Sequence, residues 1–226
     1  MAGTMTHTST ATVTGILAEI QIVPVVVLDD PAGANNLADA LVAGGIPCAE
    51  FTFRTPAGLE ALKALRGRTD LLLGAGTVLN AADVDLAADA GAKFIVSPGF
   101  GADVVTRCRE RGVTAIPGVA TASELQAAVS AGLRHVKFFP AEQAGGLPML
   151  SALAGPFPEV RFMPSGGLRP ENVNTYLDHP AVFAAGGSWM VPRAAIVAGN
   201  FQEIARLCAE TRSALAEHHR MNKGSI

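Results

Sequence analysis

The chain has 226 residues, of which 49% are hydrophobic and 16% are charged, and its formal net charge at pH 7 is −3. This apolar content excludes an intrinsically disordered chain, and the slight acidic excess argues against binding to nucleic acid or to a lipid surface through bulk charge. The length fits one long domain or two short ones. No apolar run approaches the ~18 residues that a membrane-spanning helix requires.

The N-terminal sequence and the spacing of the cysteines favour a cytoplasmic location. Residues 1–14 are rich in Thr and Ser and lack the basic start and apolar stretch of a secretory signal, so we expect a disordered leader, and we expect residues 220–226 to be a tail. The histidines form no metal-ligand spacing, so we expect neither a metal nor another cofactor. An odd number of widely spaced cysteines favours a reducing cytoplasm over a disulfide framework. These cysteines are Cys48, Cys108 and Cys208.

A repeating unit runs along the chain. Eight short β-branched or apolar runs occur, and a helical, Ala-rich pattern follows each of them. The runs cover residues 22–28, 48–53, 71–75, 94–96, 113–116, 136–139, 160–163 and 182–185. Strict alternation of strand and helix predicts an α/β fold with a parallel sheet, and eight units in this length predict a (β/α)8 TIM barrel. The alternative is a doubly wound open sheet, which would have fewer strands and a glycine-rich first turn.

Capping signals support the helices between these runs. Asn80 can cap the helix after the third run, and Thr121 and Glu124 have the spacing of a capping box. Residues 15–21 predict an extra N-terminal helix that would cover one end of the barrel. We therefore expect one catalytic barrel domain over residues 15–219.

The second run has one polar face and one aromatic face. Glu50, Thr52 and Arg54 alternate with Phe51 and Phe53. A strand in a parallel barrel has no solvent face, because helices cover one side and the interior is the other. The polar face is therefore expected to point inward, either as part of an active site or as a structural ion network.

The sixth run places a lysine inside an apolar strand. Lys137 alternates with Val136 and Phe138, so it would point into the barrel towards Glu50 and Arg54. Lysine is rarely buried, and the loss of water favours the neutral amine that imine formation requires. The other three lysines fall on a helix, in the tail and at the N-terminal start of a strand. The alternative is a structural lysine paired with a carboxylate.

Glycine pairs follow the seventh and eighth runs, as Ser165-Gly166-Gly167 and Gly186-Gly187-Ser188. In barrels of this class, the loops at these two positions often bind phosphate through backbone N–H groups. We therefore expect a phosphate site, with tight turns that bind nothing as the alternative. Small residues at 74–77 and 97–99 would also let a ligand approach the backbone.

These motifs resemble those of the class I 2-keto-3-deoxy-6-phosphogluconate (KDPG) aldolase / 4-hydroxy-2-oxoglutarate aldolase family. The resemblance covers residues 15–219. The motifs that carry it are Glu50-Phe-Thr-Phe-Arg-Thr55, Gly74-Ala-Gly-Thr-Val-Leu79, Ser97-Pro-Gly99, Ile116-Pro-Gly118, Lys137-Phe-Phe-Pro-Ala-Glu142, Ser165-Gly-Gly167 and Gly186-Gly-Ser-Trp189. The family implies a Schiff-base aldolase that cleaves KDPG to pyruvate and glyceraldehyde 3-phosphate, and a homotrimer.

The resemblance also implies a role for each matching residue. Lys137 would form the Schiff base, and Glu50 would be the general acid and base. The residues expected to bind substrate are Arg54 and Thr77 at the pyruvate carboxylate, Pro98 and Phe139 along the pocket wall, and Ser165, Gly166, Gly167, Gly187 and Ser188 at the phosphate. Some relatives have Thr where this chain has Ser165, a change that keeps the hydroxyl group.

Other functions remain open at this stage. The same chemistry could act on the galactonate epimer of KDPG, or on 4-hydroxy-2-oxoglutarate (KHG), which carries no phosphate. A phosphate-binding isomerase or epimerase would instead require a pair of bases or metal ligands at the strand ends. A non-catalytic sugar-phosphate sensor should have lost Lys137 or Glu50, and both are present.

Overall fold

The computed structural model describes residues 12–223, in which parallel strands alternate with helices. The strands are β1 (Ile22–Val26), β2 (Cys48–Thr52), β3 (Leu72–Gly76), β4 (Phe94–Val96), β5 (Thr114–Ile116), β6 (Gly118–Val119), β7 (His135–Phe138), β8 (Arg161–Pro164) and β9 (Ala185–Gly187). The helices are α1 (Val13–Ile20), α2 (Ala34–Ala43), α3 (Pro56–Leu65), α4 (Ala81–Asp89), α5 (Ala102–Arg111), α6 (Ala122–Ser130), α7 (Gly146–Ala154), α8 (Pro170–Leu177), α9 (Arg193–Val197) and α10 (Phe201–Lys223).

The strands form two parallel sheets. One has the order β5-β4-β3-β2-β1-β9, and the other has the order β6-β7-β8. Contacts join the sheets on both sides: Pro117, between β5 and β6, accepts a hydrogen bond from the Lys137 N–H at 2.8 Å, and Ser165 pairs with Gly186 of β9. The predicted α/β fold with parallel strands is confirmed.

Two strands differ from their predicted positions. The run predicted at 113–116 continues after Pro117 as β6, which was not predicted because glycine and proline are poor strand formers. The run predicted at 182–185 is mostly outside its strand, since β9 begins at Ala185 and contains the glycine pair that was expected to be a turn. Pairing explains this, because Gly186 lies opposite Val23 of β1.

Helices extend further towards both ends of the described part than the sequence predicted. The leader predicted over 1–14 is wrong for its last residues, because α1 begins at Val13, with the Thr12 hydroxyl accepting a hydrogen bond from the Gly15 N–H. The tail was predicted from residue 220, and α10 continues through its first residues to Lys223. Residues 1–11 and 224–226 lie outside the described part. No helix within that part is long and apolar enough to cross a membrane.

Local signals account for the helix starts. The Asn80 side chain accepts a hydrogen bond from the Asp83 N–H at 2.9 Å and caps α4. The predicted capping box of α6 is present, because the Thr121 hydroxyl accepts from the Glu124 N–H and the Glu124 carboxylate accepts from the Thr121 N–H. These contacts satisfy backbone donors that the first turn of a helix leaves unpaired.

Small residues let the helices pack closely against a strand and against each other. A Cβ atom on Gly58 of α3 would lie 2.1 Å from the Thr52 carbonyl oxygen of β2. A Cβ atom on Gly44, after α2, would lie 2.3 Å from the Cys208 Cβ of α10. Large side chains fill the remaining core, and the largest of them are Phe51, Phe94, Phe138 and Phe162.

Candidate active site

The inward face of β2 supplies the site's carboxylate. Glu50 is only 1% exposed. Thr52 is also buried, but its hydroxyl donates to the Val26 carbonyl at 2.9 Å, so it serves the contact between β1 and β2. Arg54 follows the end of β2 and is exposed. The predicted polar face therefore separates into a buried acid, a structural hydroxyl and an exposed cation.

Lys137 of β7 meets Glu50 inside the molecule. Its Nζ atom lies 3.3 Å from Glu50 Oε1, and the lysine is 5% exposed. The other carboxylate oxygen, Oε2, is buried without a hydrogen-bond partner in the described part of the chain. Burying such a pair costs desolvation energy that apolar side chains of similar volume would avoid. An amine and a carboxylate kept together at that cost are typical of a functional site.

A glycine makes room for the carboxylate. Gly76 ends β3, and a Cβ atom there would lie 2.1 Å from Glu50 Oε1. Sequence reasoning assigned this glycine to close approach of a ligand, whereas the nearest group is Glu50. Gly186 similarly faces Ser165, whose Oγ atom would lie 2.9 Å from an added Cβ. Both glycines therefore determine where a neighbouring polar side chain can lie.

A cavity of about 210 Å³ brings most of the predicted site residues together. The predicted residues that line it are Arg54, Lys137, Phe139, Ser165, Gly166, Gly167, Gly187 and Ser188. The Lys137 Nζ atom lies 5.1 Å from the centre of the Phe139 ring. The cavity also has lining residues that the sequence did not single out as binding residues, namely Val25, Val27, Leu168 and Gly186. Gly186 stood in a recognised motif, whereas the others gave no signal beyond their position in or near a strand end.

Three predicted residues do not line the cavity: Glu50, which contacts Lys137 from behind the lining, and Thr77 and Pro98. Thr77 is half-buried and directly follows Gly76, with a φ of +58° that is unusual for a β-branched residue. Pro98 is exposed, and its carbonyl oxygen packs against Gly118, the residue opposite Lys137 in the sheet. Contacts through Gly76 and Gly118 therefore connect Thr77 and Pro98 to the pair of Lys137 and Glu50.

The loop after β8 is held by the loop after β7. Gly166 and Gly167 have φ values of +97° and +81°, and the Glu142 N–H donates to the Gly166 carbonyl at 3.1 Å. The buried Tyr176 hydroxyl of α8 donates to Glu142 Oε1. Glu142 belongs to the motif that begins at Lys137, but the sequence predicted neither a catalytic nor a binding role for it. The structure assigns it contacts that fix the path of the glycine pair.

A groove of about 490 Å³ continues from the cavity, and the two share Val25, Val27, Arg54 and Ser188. Arg193, at the start of α9, also lines this groove. Its Nε atom donates to Asp29 Oδ2 at 2.7 Å, and its Nη2 atom donates to Asp29 Oδ1. The hydrogen bond and charge of Arg193 lower the pKa of Asp29. No sequence signal linked residues so far apart in the chain.

Within residues 12–223, no group of three or more His, Cys, Asp or Glu side chains has the arrangement to hold a metal ion. The three cysteines are free and buried. Burial raises the pKa of Cys108 and of Cys208 to about 12, so neither thiol is suited to act as a nucleophile near neutral pH.

Comparison with known proteins assigns the chain to a family. The model of the KDPG and KHG aldolase family matches residues 13–207. A 2-dehydro-3-deoxy-phosphogluconate aldolase from Treponema pallidum is 48% identical, over 86% of this chain and 93% of its own length. A KHG/KDPG aldolase from Escherichia coli K12 is 41% identical, over 86% of this chain and 92% of its own length.

A solved structure shows the same fold. The KDPG aldolase from Legionella pneumophila, with pyruvate captured as a covalent carbinolamine intermediate, superposes with a TM-score of 0.85. It is 41% identical, and the match covers 88% of this chain and 97% of the Legionella chain. The chain belongs to the KDPG and KHG aldolase family.

Proposed function

We propose that this protein is a Schiff-base aldolase that cleaves KDPG to pyruvate and glyceraldehyde 3-phosphate. One observation carries the proposal: the buried Lys137 amine lies 3.3 Å from the Glu50 carboxylate and lines a cavity with Arg54 and two glycine-rich loops. Covalent catalysis by a lysine requires a neutral amine out of water and a nearby group that moves protons. Lys137 supplies an amine that is buried away from water, and Glu50 lies close enough to accept and donate protons.

The reaction proceeds by imine formation, carbon–carbon bond cleavage, protonation of the enamine and hydrolysis. The Lys137 amine adds to the C2 ketone, and loss of water gives a protonated imine. Glu50 removes the C4 hydroxyl proton, the C3–C4 bond breaks, and C4 becomes the aldehyde carbon. The electron pair of the broken bond forms the C2=C3 double bond of an enamine, while the C=N π electrons move onto the former imine nitrogen. Glyceraldehyde 3-phosphate leaves. Glu50 returns the proton to C3, and water hydrolyses the imine, which releases pyruvate and restores the lysine.

The remaining polar groups bind the two anionic ends of the substrate. Arg54 suits the pyruvate carboxylate, because a guanidinium binds a carboxylate through two parallel hydrogen bonds. Thr77 assists it, and Phe139 forms part of the pocket wall, whereas Pro98 lies outside the cavity lining and borders the site through Gly118. The phosphate is bound by the loops that flank the cavity, through Ser165, Gly166, Gly167, Gly187 and Ser188.

We also propose the finer features of the architecture. One catalytic domain is built around residues 15–219, with α1 and α10 extending it at its two ends, and it is a closed (β/α)8 barrel in which β5 and β6 count as one strand. The contacts of Pro117 with Lys137, and of Ser165 with Gly186, support closure. The protein is a homotrimer, as the family resemblance implies. Its compartment is the cytoplasm, which fits three free cysteines.

Release of pyruvate from three substrates tests the proposed activity. KDPG should be cleaved faster than its galactonate epimer and faster than 4-hydroxy-2-oxoglutarate, and a chelator should leave the rate unchanged. Lys137→Ala should lower the rate by several orders of magnitude, because no other lysine within the described residues lines the cavity. An active Lys137→Ala variant would contradict the mechanism, and faster cleavage of another substrate would contradict the specificity.

Cleavage of 4-hydroxy-2-oxoglutarate is the second candidate activity. It is favoured by the name of the Escherichia coli relative, a KHG/KDPG aldolase. This substrate has no phosphate, so it would use Lys137, Glu50 and Arg54 but not the glycine-rich loops. The rate at which it is cleaved, relative to the rate for KDPG, therefore measures how much binding of the phosphate contributes to catalysis.

A further inference from the structure

The geometry points to Arg193 as a specificity-determining residue that contacts the distal phosphate of the substrate. The inference rests on the proposed function and deepens it, because it names a contact that selects phosphorylated substrates. It concerns a side chain outside the glycine-rich loops, in the groove that continues from the cavity.

The position of Arg193 supports this role. Ser188 and Arg54 line both the cavity and the groove, and Arg193 lines the groove with them. A ligand that extends from Lys137 past Ser188 therefore enters the space that Arg193 borders. Arginine suits a phosphate because its planar guanidinium presents several N–H donors to the phosphate oxygens.

The segment between Ser188 and Arg193 is firmly held. The Val191 N–H donates to the Ser188 carbonyl at 3.1 Å, and the Trp189 indole N–H donates to the Thr211 hydroxyl of α10 at 3.1 Å. Met190 and Val191 are buried. The backbone at Arg193 is thus anchored close to Ser188, and the contact with Asp29 orients its side chain, as a specificity contact requires.

Asp29 orients the Arg193 guanidinium but accepts hydrogen bonds from only two of its three nitrogen atoms. The pair engages Nε and Nη2 of Arg193 and leaves the other terminal nitrogen, Nη1, outside the contact. A guanidinium has five N–H donors, so Nη1 can donate to a second acceptor. The carboxylate and the guanidinium neutralise each other, so the pair does not present an uncompensated negative charge to a phosphate.

Stability alone is a weak reason for this pair. The side chains of Asp29 and Arg193 are 39% and 62% exposed. Exposed ion pairs contribute little to stability, because water and salt screen them. An Arg193→Ala variant should therefore fold, and its kinetics can be compared directly with those of the parent enzyme.

The test compares KDPG with 2-keto-3-deoxygluconate, the same acid without the phosphate. Arg193→Ala should raise KM for KDPG about tenfold, the scale of one hydrogen bond to a charged group, with kcat nearly unchanged. Its kcat/KM for the unphosphorylated acid should equal that of the parent. Arg206→Ala is the matched control, because Arg206 forms the same forked pair with Glu203 on α10, and that variant should behave as the parent does.

Two results would overturn the inference. An unchanged KM for KDPG would show that Arg193 does not contact the phosphate, and an equal loss on both substrates would show a general structural role. Failure of the proposed function is distinguishable, because the parent enzyme would then cleave neither substrate and would form no adduct with pyruvate at Lys137. The adduct does not involve the phosphate, so it should form equally in Arg193→Ala.

Discussion

Glu50 and Lys137 depend on the absence of a side chain at a third residue. The carboxylate of Glu50 occupies the space where a Cβ atom of Gly76 would lie, 2.1 Å from Oε1 and 2.5 Å from Cγ. Its distance from Lys137 Nζ is therefore set by the backbone of β3 as well as by β2. Displacement of a catalytic group by about 1 Å can cost roughly 100-fold in rate.

Gly76→Ala should therefore lower kcat by about 100-fold, on that same scale. The added methyl group would push the carboxylate away from the lysine and from the C4 hydroxyl. Steady-state kinetics of pyruvate release measure the effect, and the melting temperature checks that the variant folds. Gly67→Ala is the control, because nothing lies within 4 Å of an added Cβ there. If folded Gly76→Ala retained the parent kcat, Gly76 would not position Glu50.

Helices and strands position the site residues, and the sequence signals that start a helix act over only a few residues. The capping box of α6 links Thr121 and Glu124 over three residues, and the sequence predicted it correctly. Helix α6 connects β6 with β7, the strand that carries Lys137. The start of α6 therefore offers a measurable link between a local motif and the stability of the site's framework.

Thr121→Ala should lower the free energy of unfolding by about 1 kcal/mol, the usual cost of losing a helix cap. The Thr121 hydroxyl accepts from the Glu124 N–H and donates to the Glu124 carboxylate, and both contacts would be lost. Urea unfolding at neutral pH measures the change. An unchanged free energy would mean that water replaces the cap without cost.

The same cap predicts a dependence on pH. The Ala120 N–H, and then the hydroxyl and N–H of Thr121, lower the pKa of Glu124 from its usual 4.5. A carboxyl whose pKa is lowered by folding stabilises the protein above the unfolded value, and this stabilisation is lost as the pH falls through the folded value. The difference in unfolding free energy between the parent and Glu124→Gln should therefore be constant near neutral pH and shrink below about pH 4.5. A difference that grows on acidification would contradict this assignment.

At the scale of the whole molecule, the features that the sequence predicted correctly are those that follow from the periodic spacing of apolar residues. Alternating strands and helices were recognised from eight apolar runs, and the inward direction of Lys137 and Glu50 followed from the lack of a solvent face in a parallel barrel strand. Strand β9 was displaced, because its glycines are held by pairing with β1 rather than by their own preference. Glu142 with Tyr176, and Asp29 with Arg193, could not be predicted, since each pair joins elements that only the fold brings together.

The scarcity of lysine makes the central claim directly measurable. Of the four lysines in the chain, Lys137 lines the cavity, whereas Lys63 and Lys93 are exposed and do not line it. Incubation with pyruvate and borohydride should reduce the imine and fix one pyruvyl group on the protein, and peptide mass mapping should locate it at Lys137. An unmodified protein, or an adduct at another lysine, would contradict the Schiff-base mechanism.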